Sequence, residues 1–284
     1  MCPTDWQVLG SISPKELTGA RLVLHHAVQL AAAPGQHLLP RRPDDGQMAL
    51  TWEAGAMVGE TLPSGHRVAL HLEALLLELR GPGISVQLPL EGRSSEAALD
   101  WLRVELARAG VEARSLTLAM PYELPPLPLG AITFRASSGV TELAHWYADA
   151  AELLQGYTAL PGASPLRCWP HHFDLATLLS LETIEAVPDP EQARSIGLGF
   201  SPGDEGISEP YFYVTPWPYP EAAKPPALPA GRWNRSPWFG AVLQASDLVR
   251  ATDQPILASA FLRAAHQACK GLLLDISASA GSRE

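Results

Sequence analysis

The sequence predicts an α+β protein made of two antiparallel β-meander units, each with helices packed on one sheet face. Three observations carry this expectation. Apolar and polar residues alternate through short segments, the period-2 signature of half-buried strands. Turns rich in Gly, Pro and Asp, such as Pro43-Asp44-Asp45-Gly46, Pro63-Ser64-Gly65 and Gly81-Pro82-Gly83, follow one another at hairpin spacing, which favours antiparallel pairing over crossovers. Three longer segments change to helical spacing, two of them opening on capping residues.

Taken in order, residues 1–20 read as an irregular lead-in. In RLVLHHAVQLAAA the spacing predicts a strand, with Leu22, Leu24, His26, Val28 and Leu30 opposite Arg21, His25 and Gln29. MALTWEAGAMVGETL and HRVALHLEALLLELR each read as one further strand, and ISVQLPL as a fourth. A helix capped by Ser94 or Ser95 follows, with Ala98, Leu102 and Leu106 on its buried stripe and Gly110 at its left-handed end. SLTLAM reads as a strand and PYELPPLPLG as a connector. The domain boundary is therefore expected near 125, giving units 1–125 and 126–284, the alternative being one compact domain. The second unit opens with a helix over about 140–157, whose stripe is Leu143, Tyr147, Ala150 and Leu154. Three strands from the stretch 168–220 follow, and a fourth over Trp233–Leu248. A last helix is capped by Thr252 or Asp253, runs to about Leu274 and leaves the tail SASAGSRE to fray.

Composition narrows the function. The chain has 284 residues, 46% of them hydrophobic, so it can bury a sizeable core. A net charge of −10 argues against nucleic-acid partners and anionic membrane surfaces. Cys2, Cys168 and Cys269 are odd in number and lack CxxC spacing, which suits free thiols in a reducing compartment. The start MCPTDWQVLG has no basic-then-apolar leader pattern, and the most apolar run, HLEALLLEL, is too short to span a bilayer. A cytoplasmic protein is expected.

The stretch from Cys168 to Pro220 concentrates the chemistry. Read at strand period, Phe173, Leu175, Leu179 and Leu181 alternate with His172, Asp174 and Ser180, and Ile196, Leu198 and Phe200 alternate with Gly197 and Gly199. Glu209, Tyr211 and Tyr213 share a face opposite Phe212 and Val214. One sheet face would thus carry His172, Asp174, a glycine floor, Glu209 and two tyrosines. Glycines inside strands mark close approach of a ligand or backbone, and tyrosines line pockets. The alternative is that the tyrosines simply cover the glycines.

FDLA (173–176), GFSPGD (199–204) and EPYFY (209–213) resemble a family of bacterial proteins catalogued only as a domain of unknown function, over roughly residues 140–270. The resemblance implies proteins without an assigned activity or cofactor. Asp174, Glu209 and Tyr213 fall on the family's pattern, whereas His171 and His172 depart from it.

Three functions follow. The first is a small-molecule binding protein or enzyme of unassigned reaction, with Asp174, Glu209 and His172 as catalytic candidates and Gly197, Gly199, Tyr211 and Tyr213 as the ligand floor and walls. The second is a metal-dependent hydrolase with a divalent ion on His172, Asp174 and Glu209, His171 being an alternate ligand. The third is a protein-interaction module using the aromatic, proline-rich surface 211–238. Asp204 and Glu205, in the turn GDEG, are a further acid–base pair, although such a turn uses Asp and Gly for backbone geometry. Cys168 reads as an inert thiol, and no GxSxG, Walker or HExxH motif is present. His25, Glu53, His71 and Glu73 read as one solvated, mixed-charge face of the first sheet.

Overall fold

A computed structural model describes residues 5–127, 133–182, 193–220 and 224–280, with side chains to 274. It is an α+β fold with two antiparallel sheets. The chain forms two compact units, but these do not divide at residue 125. The first comprises Ser11–Ala148 and Arg167–Asp174, and the second Met1–Gly10, Asp149–Leu166 and Leu175–Glu284. The expected connector does not mark the division because the following helix begins inside the first unit. There the Ser11 hydroxyl bonds the Glu142 carboxylate and Tyr147 packs on Phe173. The end of the connector, 128–130, lies outside the described residues.

The first unit opens with helix α1 (Thr18–Leu38), which overturns the strand expected over 21–33. The alternation there was coincidental. Ala27, Ala31, Ala32 and Ala33 favour a helix, and burial runs nearly all round it from Ala20 to Gly35, so the one polar row, Arg21, His25 and Gln29, is itself buried and does not separate a wet face from a dry one. Next come β1 (Thr51–Glu53), β2 (Ala56–Val58), β3 (Arg67–His71), β4 (Leu76–Gly81) and β5 (Ile84–Pro89), neighbours in that order and all antiparallel. Two segments expected as single strands are hairpins. Ala54 (φ 47°) and Gly55 (φ 86°) turn one, and Leu75 (φ 46°) sits in the turn of the other. Leu carries no sequence signal for a left-handed turn, which hid the second, and the first offers only the lone Gly55.

Met57, Val68, Leu70, Leu77, Leu79 and Leu88 form the buried face of this sheet, against which α1 and α2 (Ser95–Arg108) pack. The Ser94 hydroxyl accepts from Ala97 N at 3.2 Å and Gly110 has φ 76°, as the capping pattern predicts. Residues 115–120 form no strand, although Leu116 is buried. Helix α3 (Ser138–Gln155) is the expected amphipathic helix, with Leu143, Tyr147, Ala150 and Leu154 fully buried. Strand β6 (Arg167–Trp169) bridges back to Leu50 through Cys168.

The second unit holds β7 (Asp174–Ser180, its first residue in the first unit), β8 (Ser195–Ser201), β9 (Tyr211–Trp217), β10 (Arg232–Asn234) and β11 (Gly240–Gln244). Their order is β10–β11–β9–β8–β7, so β11 inserts between β9 and β10 and the meander is incomplete. The single strand expected over 233–248 is in fact β10, β11 and the short helix α4 (Ala245–Leu248). Helix α5 (Gln254–Ala280) packs on β8, β9 and β11 through Phe261, Leu262, Ala265, Cys269 and Leu273. Asp253 caps it through Ile256 N, as expected, and it continues past Leu274 into the segment expected to fray; 281–284 lie outside the described residues. No described helix is long and apolar enough to cross a membrane.

Candidate functional site

Helical α1 places His25 and Gln29 one turn apart on the same side. Both donate from side-chain nitrogen to Pro170 O, each at 2.9 Å, and the Tyr122 hydroxyl donates to Gln29 Oε1 at 2.7 Å. The chain leaving β6 therefore turns at Pro170 under three polar restraints. Phe173 N closes the turn on Trp169 O at 2.7 Å. Phe173 itself has φ 57°, a left-handed conformation costly for a bulky side chain. Its ring is fully buried between His25 (centroids 5.4 Å apart, stacked) and Tyr147 (4.9 Å), and the Tyr147 hydroxyl donates to Phe173 O.

This over-determined turn presents His171 and His172. Their rings lie 4.3 Å apart, and His171 also meets Tyr122 at 5.7 Å and Trp169 at 6.1 Å. His171 is half-buried and His172 exposed. Neither imidazole forms a hydrogen bond to the protein among the described residues. Burial, aided by the neighbouring His172, lowers the His171 pKa to about 4 against the opposing charge of Asp45. Burial likewise holds His25 at about 4, with His26, Arg21 and His172 adding to the effect and the Pro170 bond opposing it. Burial raises the pKa of the Tyr122 and Tyr147 phenols and of the Cys168 thiol, for which the Asp174 charge adds to the rise. At neutral pH His171 is thus an uncharged imidazole beside the Tyr122 phenol and the Trp169 indole. Cys168 is an inert buried thiol, as expected.

The residues singled out from sequence fall in both units, His172 and Asp174 in the first and Gly197, Gly199, Glu209, Tyr211 and Tyr213 in the second. His172 and Asp174 do not share a strand face, because His172 lies in the turn and the left-handed Phe173 breaks the alternation between them. Glu209 lies in the second unit, 5% exposed, and accepts from Gln244 Nε2 (2.6 Å), Ser246 N (2.7 Å) and Ser246 Oγ (3.0 Å), at the start of α4. Its lone pairs are committed to structure. Asp204 accepts from Gly206 N (2.6 Å), Ile207 N (2.7 Å) and the Tyr211 hydroxyl. Tyr211 is thereby tied down, and it packs with Ile207 and Val242 beneath Tyr213 and Trp238. Among the described residues no three of His, Cys, Asp and Glu form a group that could hold a metal ion.

The glycine floor is half covered. Gly199 pairs with Tyr213, and a Cβ at 199 would lie 2.4 Å from the Tyr213 Cζ, so the tyrosine roofs this glycine. Gly197 pairs with Leu178 and Thr215 and meets only the Thr215 methyl, at 3.1 Å. Beside it Leu178 is 46% exposed, and Trp217 and Tyr219 are 43% and 41% exposed with rings 5.2 Å apart.

The mixed-charge face expected on the first sheet is an ion-pair lattice. Glu53 bridges Arg67 (2.6 Å) and Arg80 (2.5 Å), and Glu78 meets His71 at 2.9 Å, above buried Ala56, Val58 and Ala69. His25 is not part of it, since it lies on α1, and Glu73 stands in a turn 3.9 Å from His145. A depression of about 420 Å³ beyond α2 is lined by Arg103, Ala107 and residues 110–114, but the Arg103 guanidinium is committed to Leu116 O and Asp100.

His25, Gln29, Tyr122 and Tyr147 are the supports that sequence reading did not bring together. Their one sequence signal is the i, i+4 spacing of His25 and Gln29, which becomes visible only once the segment is read as a helix. Comparison with protein-family models, curated proteins and solved structures finds no match to this chain.

Proposed function

We propose that this chain is a small-molecule binding protein, or an enzyme of unassigned reaction, whose contact surface is the face made by Trp169, His171, His172 and Tyr122. One observation carries the reading: a strained turn, held by His25, Gln29 and Tyr147, presents two imidazoles whose nitrogens are left open. A left-handed bulky residue costs about 1–3 kcal/mol and persists where the surroundings impose it, which is common at functional sites. The chemistry favours a planar, uncharged molecule with hydrogen-bonding edges, which would stack on indole or phenol and bond to the ring nitrogens. The polar face of the second sheet is less favourable, because Tyr213 occupies the space over Gly199.

The test is a screen of planar heteroaromatic compounds in buffer containing EDTA, read by imidazole NMR. Binders should shift the His171 and His172 resonances and be lost in the His171→Ala/His172→Ala double variant. Binders that leave those resonances unmoved would refute the assignment.

A second reading, an interaction module on the 211–238 surface, is favoured by the touching, exposed rings of Trp217 and Tyr219. It predicts that Trp217→Ser removes a protein partner while leaving the imidazole resonances untouched.

A further inference from the structure

We propose that His171 and His172 together bind a borderline divalent transition-metal ion, with Cu²⁺ held more tightly than Ni²⁺ or Zn²⁺. This deepens the reading of the same face and rests on it, since water or the bound small molecule supplies the remaining donors. Imidazole ligates through an unprotonated ring nitrogen that makes no other bond. Five of the other histidines have one ring nitrogen engaged by the protein. His25 and His26 bond the carbonyls of Pro170 and Pro125, His37 bonds Thr117, His66 bonds Ser64 and His71 bonds Glu78. His171 and His172 stand side by side with their nitrogens uncommitted among the described residues.

Geometry supports a shared ion. Two imidazole nitrogens at about 2.0–2.1 Å from one ion lie roughly 3–4 Å apart. Ring centroids 4.3 Å apart with planes inclined at 51° come within a side-chain rotation of that arrangement. The backbone need not move, because Pro170 and Phe173 are already fixed from α1 and α3. The Asp45 carboxylate acts electrostatically on His171 but is itself bonded to Arg41 and Gln47, so it attracts a cation from outside the ligand shell. Two protein ligands make an open, exchangeable site, unlike the four-ligand closure of a structural zinc. Among such ions the affinity order for nitrogen donors places Cu²⁺ first.

The test is calorimetric titration of a Cys2→Ser protein, which removes a competing thiol, with Cu²⁺, Ni²⁺ and Zn²⁺ separately at pH 7.5, plus electron paramagnetic resonance of the Cu²⁺ complex. The expected result is one Cu²⁺ per chain with two nitrogen donors. Affinity should fall at least tenfold in His172→Ala, whose exposed side chain can be removed without disturbing the fold, and stay unchanged in His145→Ala and His266→Ala. Cu²⁺ binding that survives His172→Ala, or a spectrum with a single nitrogen donor, would mark an adventitious ion only and overturn the proposal. Because the heteroaromatic screen is run in EDTA, loss of the metal site leaves the small-molecule reading separately decided.

Discussion

Replacing Gly199 by alanine isolates the contact that decides whether the second sheet offers a ligand floor. The backbone at 199 is ordinary strand, so the penalty is steric and not conformational. The new Cβ would stand 2.4 Å from both Cζ and the hydroxyl of Tyr213 and 2.7 Å from its Cε1. The ring must therefore swing off the sheet. It would leave its edge contacts with Trp238 (6.3 Å) and Tyr211 (6.2 Å) and uncover the small cluster of Ile207, Tyr211 and Val242. Overpacking of this kind costs about 1–3 kcal/mol, and at about 2–4 °C per kcal/mol for a unit of this size the melting temperature should fall by roughly 2–12 °C. The same change in a Tyr213→Ala background should have the opposite sign. With the ring gone, alanine replaces glycine in an open strand and gains about 0.5–1 kcal/mol. Urea denaturation of wild type, both single variants and the double variant completes the cycle. Equal losses in the two backgrounds, or a neutral Gly199→Ala, would refute the roofing of this glycine by Tyr213.

The remaining expectations concern the turn and the buried carboxylate. His25 is neutral in the folded chain down to about pH 4, whereas in the unfolded chain it protonates near 6.5. Its contribution is complete above 6.5 and is lost as pH falls towards 4, in all on the order of 3 kcal/mol. Urea denaturation at pH 7, 6 and 5 should therefore show a steeper decline for wild type than for His25→Asn, and parallel curves would exclude the effect. Tyr147→Phe removes the hydroxyl donated to Phe173 O and should cost about 1–2 kcal/mol while weakening whatever binds at His171 and His172; an unchanged melting temperature would contradict it. Glu209→Ala strands half-buried donors on Gln244 and Ser246 and should cost about 1–3 kcal/mol, more than Asp204→Ala in its exposed turn; the reverse ranking in thermal unfolding would show that Glu209 is not the α4 anchor.

The sequence by itself determined what depends on local pattern. Ser94 capping α2, Gly110 ending it, Asp253 capping α5 and the alternation of Ile196, Leu198 and Phe200 all follow from residue type and spacing, and all appear in the fold. So does the antiparallel ladder of the first sheet, because hairpin-length turns leave no room for crossovers. Tertiary structure alone decided the rest. A helix buried nearly all round has apolar residues on most of its sides, so α1 and a strand look alike until the neighbours that bury it are known. The left-handed Phe173 is held from outside its own segment, and with Ala54 and Leu75 in their hairpin turns it changed which side chains share a face. His172 and Asp174 parted for that reason. Glu209, promising as a lone carboxylate before proline, was claimed by Ser246 and Gln244 more than thirty residues away. The same long-range bonding made the histidine turn, since its restraints come from α1, the connector at Tyr122 and α3, none of them adjacent to it in sequence.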